Sequence, residues 1–73
     1  MTNPIWVLPE EHNYALEFWK DNRWERREQY DTKETMKMMA REWVIHPKIV
    51  RVVKVSRYDP HPAQAVVFYM EEP

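Results

Sequence analysis

The chain has 73 residues, a net charge of −1, and neither cysteine nor glycine. Its length predicts one small domain, residues 1–73, with a marginal core, and the lack of cysteine excludes disulfides and thiolate metal sites. The lack of glycine argues against phosphate-cradling loops, and no apolar run approaches the roughly 18 residues of a membrane span.

Charge is distributed unevenly along the sequence. Residues 1–19 contain three acids and no Lys or Arg, and residues 58–73 contain three acids. Residues 20–57 contain all eleven Lys and Arg residues against six acids, which gives +5. This pattern indicates a polarised surface rather than a nucleic-acid-binding composition. Because no signal-peptide pattern is present, we expect a soluble protein that acts where it is made.

The first predicted element is a short apolar arm. Residues 5–8, Ile-Trp-Val-Leu, lie between Pro4 and Pro9. Proline cannot donate a hydrogen bond to a neighbouring strand, so it is found at sheet edges rather than in central strands. The run therefore fits either an N-terminal edge strand or an arm packed against the domain.

The next predicted element is a hairpin. Apolar residues alternate over residues 14–20, which predicts a strand with one buried face. Asn22 follows and can take the left-handed conformation that glycine would otherwise supply. A three-residue loop here would return Trp24 and Tyr30 on the same face as the first strand's apolar side chains. We predict a hairpin over residues 14–30; the alternative is a helix from Asn22, since good helix formers follow it.

A single helix is predicted after the hairpin. Asp31 and Glu34 have the spacing of a capping box, so the helix should begin at Asp31 or Thr32. An apolar stripe then falls at helical spacing on Met36, Met39, Ala40 and Trp43. Three cations repeat on a different, solvent-facing side: Lys33, Lys37 and Arg41. Proline stops helices, so we expect helix within residues 31–46, ahead of Pro47.

The C-terminal part predicts a second hairpin. Residues 48–58 form a valine-rich strand, with its strand core at 49–57, and residues 63–71 form the last strand, with its core at 64–70. The last strand is apolar on both faces, which suits a central position or a partner docked on one face. The element order is β-β-α-β-β. It predicts an α+β fold in which one helix crosses a small antiparallel sheet of about four strands.

Catalytic chemistry is weakly represented. The histidines are far apart in sequence, and a metal site would need clustered ligands. Ser56 is the only serine, lies within a predicted strand and has no plausible base beside it. We therefore expect no enzymatic activity, no cofactor and no metal.

Cations interrupt the most apolar strand. Arg51, Lys54 and Arg57 lie among the valines of residues 48–58. Two interpretations have similar weight on composition alone. Long cationic side chains at a sheet edge promote solubility and discourage edge pairing, or they form a row that docks onto an acidic partner. Arg51 and Lys54 share a face only if the strand contains a bulge.

A second group of cations suggests a different partner. Within residues 23–30 three arginines alternate with aromatic residues that could stack on bases: Arg23, Arg26 and Arg27. Glu25 and Glu28 in the same run would oppose phosphate. A nucleic-acid-binding module is therefore the alternative function, and an incidental RNA contact beside another partner is the milder form of it.

A resemblance favours the docking interpretation. Six residues match the small coliphage early proteins that inhibit host RNA polymerase: Glu42, Trp43, Pro47, Val52, Lys54 and Val55. Size and character also resemble a Xanthomonas-phage protein that inhibits initiation and promotes antitermination. In the coliphage family the strand belongs to a compact α+β domain, and its arginines grip an acidic surface of the polymerase β′ subunit. Lys54 stands where the first arginine falls; Ser56 stands at the second, with Arg57 one residue late.

The resemblance implies a regulator of transcription. The expected partner is host bacterial RNA polymerase, the expected site is the host cytoplasm, and the free protein is expected to be monomeric without membrane contact. The motif covers about a quarter of the chain or less and is loose. An inhibitor of a bacterial defence nuclease is a further alternative, since such proteins are also small and polarised.

Overall fold

The structure, a computed structural model, describes residues 7–72 and shows a small α+β fold. Its elements in chain order are β1 (Tyr14–Lys20), β2 (Arg23–Asp31), α1 (Lys33–Glu42), β3 (Lys48–Val55) and β4 (Ala63–Glu72). The four strands form one antiparallel sheet in the order β2-β1-β3-β4. The predicted element order is confirmed. Within the described residues, no helix has the length and apolar character needed to cross a membrane.

The predicted arm lies mostly outside the described residues, which begin at Val7. Leu8 is buried, and its backbone N–H donates to the carbonyl of Arg57 at 2.9 Å. Leu8 therefore packs against the domain, Val7 is exposed, and neither belongs to a strand.

The hairpin of β1 and β2 closes with a tighter turn than the sequence suggested. Asp21 and Asn22 both have positive φ, at 55° and 62°, and form a two-residue turn. Two consecutive left-handed residues match the twist of the flanking strands, which favours this turn over a three-residue loop. The prediction that Trp24 and Tyr30 share the face of Leu16 is therefore wrong. Trp24 pairs with Trp19 and Tyr30 pairs with Ala15, so both rings lie on the opposite face of the sheet.

The helix begins as expected but with a different cap. Thr32 is the N-cap, and its hydroxyl accepts a hydrogen bond from the N–H of Thr35 at 3.2 Å. Asp31 accepts from the N–H of Thr32 at 2.7 Å, so it supports the cap from outside the helix. Glu34 lies in the first turn, where its charge complements the helix dipole.

The helix ends earlier than predicted. It stops at Glu42, and Trp43 already has an extended backbone with φ −71° and ψ 121°. The N–H of Trp43 still donates to the carbonyl of Met39 at 3.0 Å. The following residues, 44–46, comprise two β-branched residues and a residue before proline, all of which disfavour the helical conformation. The helix therefore lies within the predicted residues 31–46, and residues 43–46 at the end of that range are not helical.

The core lies on both faces of the sheet. Under the helix, buried side chains come from α1, β1 and β3: Met36, Ala40, Leu16, Val50 and Val52. A smaller cluster covers part of the opposite face, which we call the open face: Leu8, Ala15, Val53 and Val55. Strand β3 therefore runs without a bulge against β1 and buries valines on both sides. This explains why its apolar residues do not alternate simply.

Strand β4 lies at the edge of the sheet beside β3, not in a central position. Most of its residues are exposed, and two bulges interrupt its pairing with β3. The apolar composition of this strand therefore does not reflect burial. The sequence offered two explanations for the apolar faces of this strand, a central position or a docked partner. The central position is wrong.

Candidate partner-binding site

The structure separates the cations of the valine-rich strand. Arg51 pairs with Glu17 of β1, and Lys54 pairs with Tyr14, in a regular register. Because they are three residues apart in this regular strand, they lie on opposite faces of the sheet. Arg57 lies beyond the end of β3. The three predicted docking cations thus do not form one row.

Arg51 belongs to a charge network on the open face. The carboxylate of Glu17 accepts from the guanidinium of Arg51 at 2.6 Å through one oxygen and from Arg26 at 2.8 Å through the other. Glu17 is only 6% exposed. A carboxylate so buried needs close opposite charges, and here two arginines from the flanking strands supply them. Arg51 and Arg26 therefore hold β1, β2 and β3 together.

Arg26 also fixes the connection between β3 and β4. Its guanidinium donates to the carbonyl of Pro60 and, at 2.8 Å, to the carbonyl of His61. Pro60 is fully buried beneath this contact. The donors of Arg26 are used within the fold, so its predicted contact with a phosphate group would require breaking these bonds.

Aromatic rings surround Arg51 on the open face. Its guanidinium lies over Trp24, 4.1 Å from the ring centroid, and Trp24 packs edge-on against Trp19 at 5.3 Å and Tyr69 at 6.3 Å. Trp19 and Tyr69 are 41% and 52% exposed. The hydroxyl of Tyr69 donates to Glu71, and this hydrogen bond raises the pKa of the phenol. This surface is aromatic but carries balanced charge.

Arg27 points to the helix side. Its guanidinium lies 4.7 Å from the centroid of the Trp43 ring, which in turn packs against Phe18 at 4.9 Å. Arg23 is exposed at the hairpin turn. The predicted nucleic-acid segment, residues 23–30, therefore sends its arginines to different faces rather than presenting one basic surface.

Lys54 is the strand cation that faces solvent. It is exposed on the helix side of β3, while Val53 and Val55 on either side of it are fully buried. Within residues 7–72 its ammonium makes no hydrogen bond or ion pair. It borders a shallow depression of about 370 Å³ that also includes Glu10, Glu11 and Glu34.

Arg57 is partly buried in the turn after β3. The hydroxyl of Ser56 accepts from the N–H groups of Tyr58 and Asp59 at 3.2 and 3.3 Å, which ends the strand. The guanidinium of Arg57 lies over the Tyr58 ring at 5.4 Å, and its buried Nε has no hydrogen-bond partner within the described residues. The prediction that β3 continues through residue 57 is wrong because of this turn.

Groups that could do catalysis are used elsewhere or isolated. In residues 7–72 no three His, Asp or Glu side chains come close enough to hold a metal ion. His61 pairs with Asp59 at 3.2 Å on an exposed loop, and the Ser56 hydroxyl caps the turn.

Comparison with known proteins adds no relative: no family model, no curated protein and no solved structure matches this chain.

Sequence reasoning missed Glu17, whose position in the middle of an apolar strand was the available signal. Its two arginine partners depend on strand register, which the sequence did not reveal. Of the predicted residues, Lys54 on β3 and Arg23 at the hairpin turn are the exposed ones.

Proposed function

We propose that this chain is a phage-encoded regulator that binds host bacterial RNA polymerase in the host cytoplasm, through the β′ subunit. By occupying that surface it inhibits initiation or promotes antitermination. The helix-then-strand unit that carries the resemblance supports this proposal. Helix α1 leads through the extended Trp43 and Pro47 into β3, on a small α+β fold.

The observation that carries the proposal is the exposure of Lys54. Its neighbours Val53 and Val55 are fully buried, so the backbone that bears this cation is held in place before binding. A pre-positioned charge loses little entropy on association, and a close charge pair at an interface can be worth about 2–5 kcal/mol. Arg51 is excluded from the proposed contact because Glu17 already neutralises it. Arg57 lies three residues further along the chain, past the end of β3, and is half-buried over Tyr58, so the proposed contact depends on Lys54.

The nucleic-acid alternative has less support from the geometry. Arg26 is bound to Glu17 and to backbone carbonyls, and Arg27 lies on the other face. Binding that releases counterions from several phosphates needs several free cations on one surface. Among the three predicted residues only Arg23 is exposed.

Copurification tests the function against its alternatives. A tagged chain is mixed with nuclease-treated bacterial lysate, and retained proteins are identified by mass spectrometry. We expect the β and β′ subunits to be retained by the wild type and lost with Lys54→Glu. Lys20→Glu is the matched control, since Lys20 is also exposed, at the hairpin end. Recovery of a defence nuclease, or of nucleic acid alone from untreated lysate, would contradict the proposal.

A further inference from the structure

The two edges of the sheet are built differently. β2 carries six charged residues along its nine positions: Arg23, Glu25, Arg26, Arg27, Glu28 and Asp31. In β4, residues 63–70 carry none, and charge appears only at Glu71 and Glu72. Charged residues commonly protect strand edges from unwanted pairing. The edge formed by β4 lacks this protection over most of its length.

The uncharged edge is also apolar and exposed. Val66, Val67 and Tyr69 are 51%, 37% and 52% exposed. The bulges at Gln64 and Val67 interrupt the strand, which leaves residues 68–72 as its longest regular stretch. Among residues 7–72, no other strand of the sheet lies against the backbone groups on the outer side of this stretch. They are positioned to bond to an added strand.

Basic side chains flank this stretch on the helix side. The ammonium of Lys37 and the guanidinium of Arg41 each lie 5.5 Å from the centroid of the Phe68 ring. Lys54 lies on the same side, in register with Ala65. At the other end of the stretch, Glu72 pairs with Lys48 in the register of β3. The edge is therefore positive near Phe68 and negative near its C-terminal end.

We propose that the outer edge of β4 binds an extended acidic segment of a partner protein by strand addition. Backbone hydrogen bonds supply affinity in this mode, and alternate side chains supply specificity. An acidic side chain of the partner lies near Phe68, where Lys37 and Arg41 attract it. The partner residues next to this acidic residue face the open side of the sheet and contact Tyr69. The inference rests on the protein-binding function proposed above and names the second surface that the partner uses.

Peptide binding tests this site directly. The ¹⁵N-labelled chain is titrated with a synthetic peptide of alternating Val and Glu, and separately with one of alternating Val and Lys. We expect the acidic peptide to shift the amide resonances of residues 63–72, to slow their hydrogen exchange, and to bind more weakly at high salt. The Val-Lys peptide should leave these resonances unchanged.

Charge variants locate the contact. The double substitution Lys37→Glu with Arg41→Glu should weaken binding of the acidic peptide at least tenfold, and Lys37→Gln with Arg41→Gln should weaken it less. The control, Lys20→Glu with Arg23→Glu, makes the same charge change at the hairpin turn and should leave binding intact. Thermal melts verify that each variant is folded. Resonance shifts that leave β4 unaffected, equal binding of both peptides, or a dimer through β4 that excludes the peptide would overturn the proposal.

The same variants separate this inference from the proposed function. Purified RNA polymerase is offered to each variant in place of the peptide. If the variant with reversed charges at Lys37 and Arg41 still binds polymerase, the edge site is wrong but the proposed function is not contradicted. Peptide binding at β4 without any polymerase binding would support the edge site and contradict the function.

Discussion

Arg51 and Lys54 lie three residues apart on one strand and have different roles. Arg51 stabilises the fold, because its guanidinium pairs with the buried Glu17 and stacks on Trp24. Lys54 extends into solvent from a strand whose flanking valines are buried. The valine-rich strand thus tolerates cations for two reasons: one neutralises a buried acid, and the other is available to a partner.

Charge reversal at these two positions should separate stability from binding. Arg51→Glu places a second carboxylate beside Glu17 and removes one of its partners, so it should lower the free energy of unfolding by about 3 kcal/mol. Lys54→Glu should change it by less than about 1 kcal/mol, since the site is exposed and screened. Urea denaturation measures both. Equal losses in the two variants would contradict the assignment of Arg51 to the fold.

At this scale the sequence revealed the residues but not their partners. The sequence showed the number of cations in the strand and their spacing. It also predicted that Arg51 and Lys54 lie on opposite faces of a regular strand. The Glu17 network was not predicted, because it requires the register of three strands, which brings Arg26 and Arg51 to either side of Glu17. Register depends on the turn geometry and on packing across the sheet.

At the scale of elements, the β1–β2 turn decides which face each aromatic ring occupies. A two-residue turn pairs Trp19 with Trp24 and places both on the open face. One more residue in the loop would have moved Trp24 to the helix side. Asp21 and Asn22 make the tight turn without glycine, because short polar side chains tolerate the left-handed conformation.

Substitutions at Asn22 should show the cost of this turn. Asn22→Gly should raise the free energy of unfolding by about 0.5 kcal/mol, since glycine adopts φ 62° without steric cost. Asn22→Val should lower it by about 1–2 kcal/mol, because a β-branched side chain is strained there. Thermal and urea unfolding report both changes. A stabilising valine would show that the turn is not the one described.

The end of the helix provides a second test. Trp43 packs on Phe18 beneath Arg27, so Trp43→Ala should destabilise the fold by about 3 kcal/mol, near the lower limit for large aromatics because the ring is only half-buried. Trp43→Phe should cost less, since an aromatic ring remains. Calorimetric melting measures both variants. No change in melting temperature for Trp43→Ala would mean that this ring contributes to binding rather than to the fold.

Element types were predictable from the sequence, but element ends were less so. Alternating apolar residues and the Met36 stripe identified the strands and the helix, and these are confirmed. The helix ends at Glu42, and Trp43 already has an extended backbone four residues before Pro47. The edge position of β4 could not be inferred, because an apolar composition does not reveal whether a strand is central or at an edge. That position depends on which strands lie beside it.

Across the whole fold, β2 forms a charged edge of the sheet and β4 an edge without charge before Glu71, and three cations lie on the helix side near β4. Lys54, Lys37 and Arg41 all project there, close to the β4 edge. Both proposals therefore use neighbouring parts of one surface. An acidic partner would meet this surface before the open face, where Glu17 balances part of the charge of Arg26 and Arg51.

The proposed function requires that Lys54 contact the β′ subunit of host RNA polymerase. Its most direct test is the dissociation constant of the chain for purified bacterial RNA polymerase, measured with wild type, Lys54→Glu and the control Lys20→Glu. We expect Lys54→Glu to weaken binding by about 30-fold or more, Lys20→Glu to bind like wild type, and wild-type binding to weaken as salt is raised. Equal binding by Lys54→Glu and wild type, or no binding by wild type, would contradict the claim.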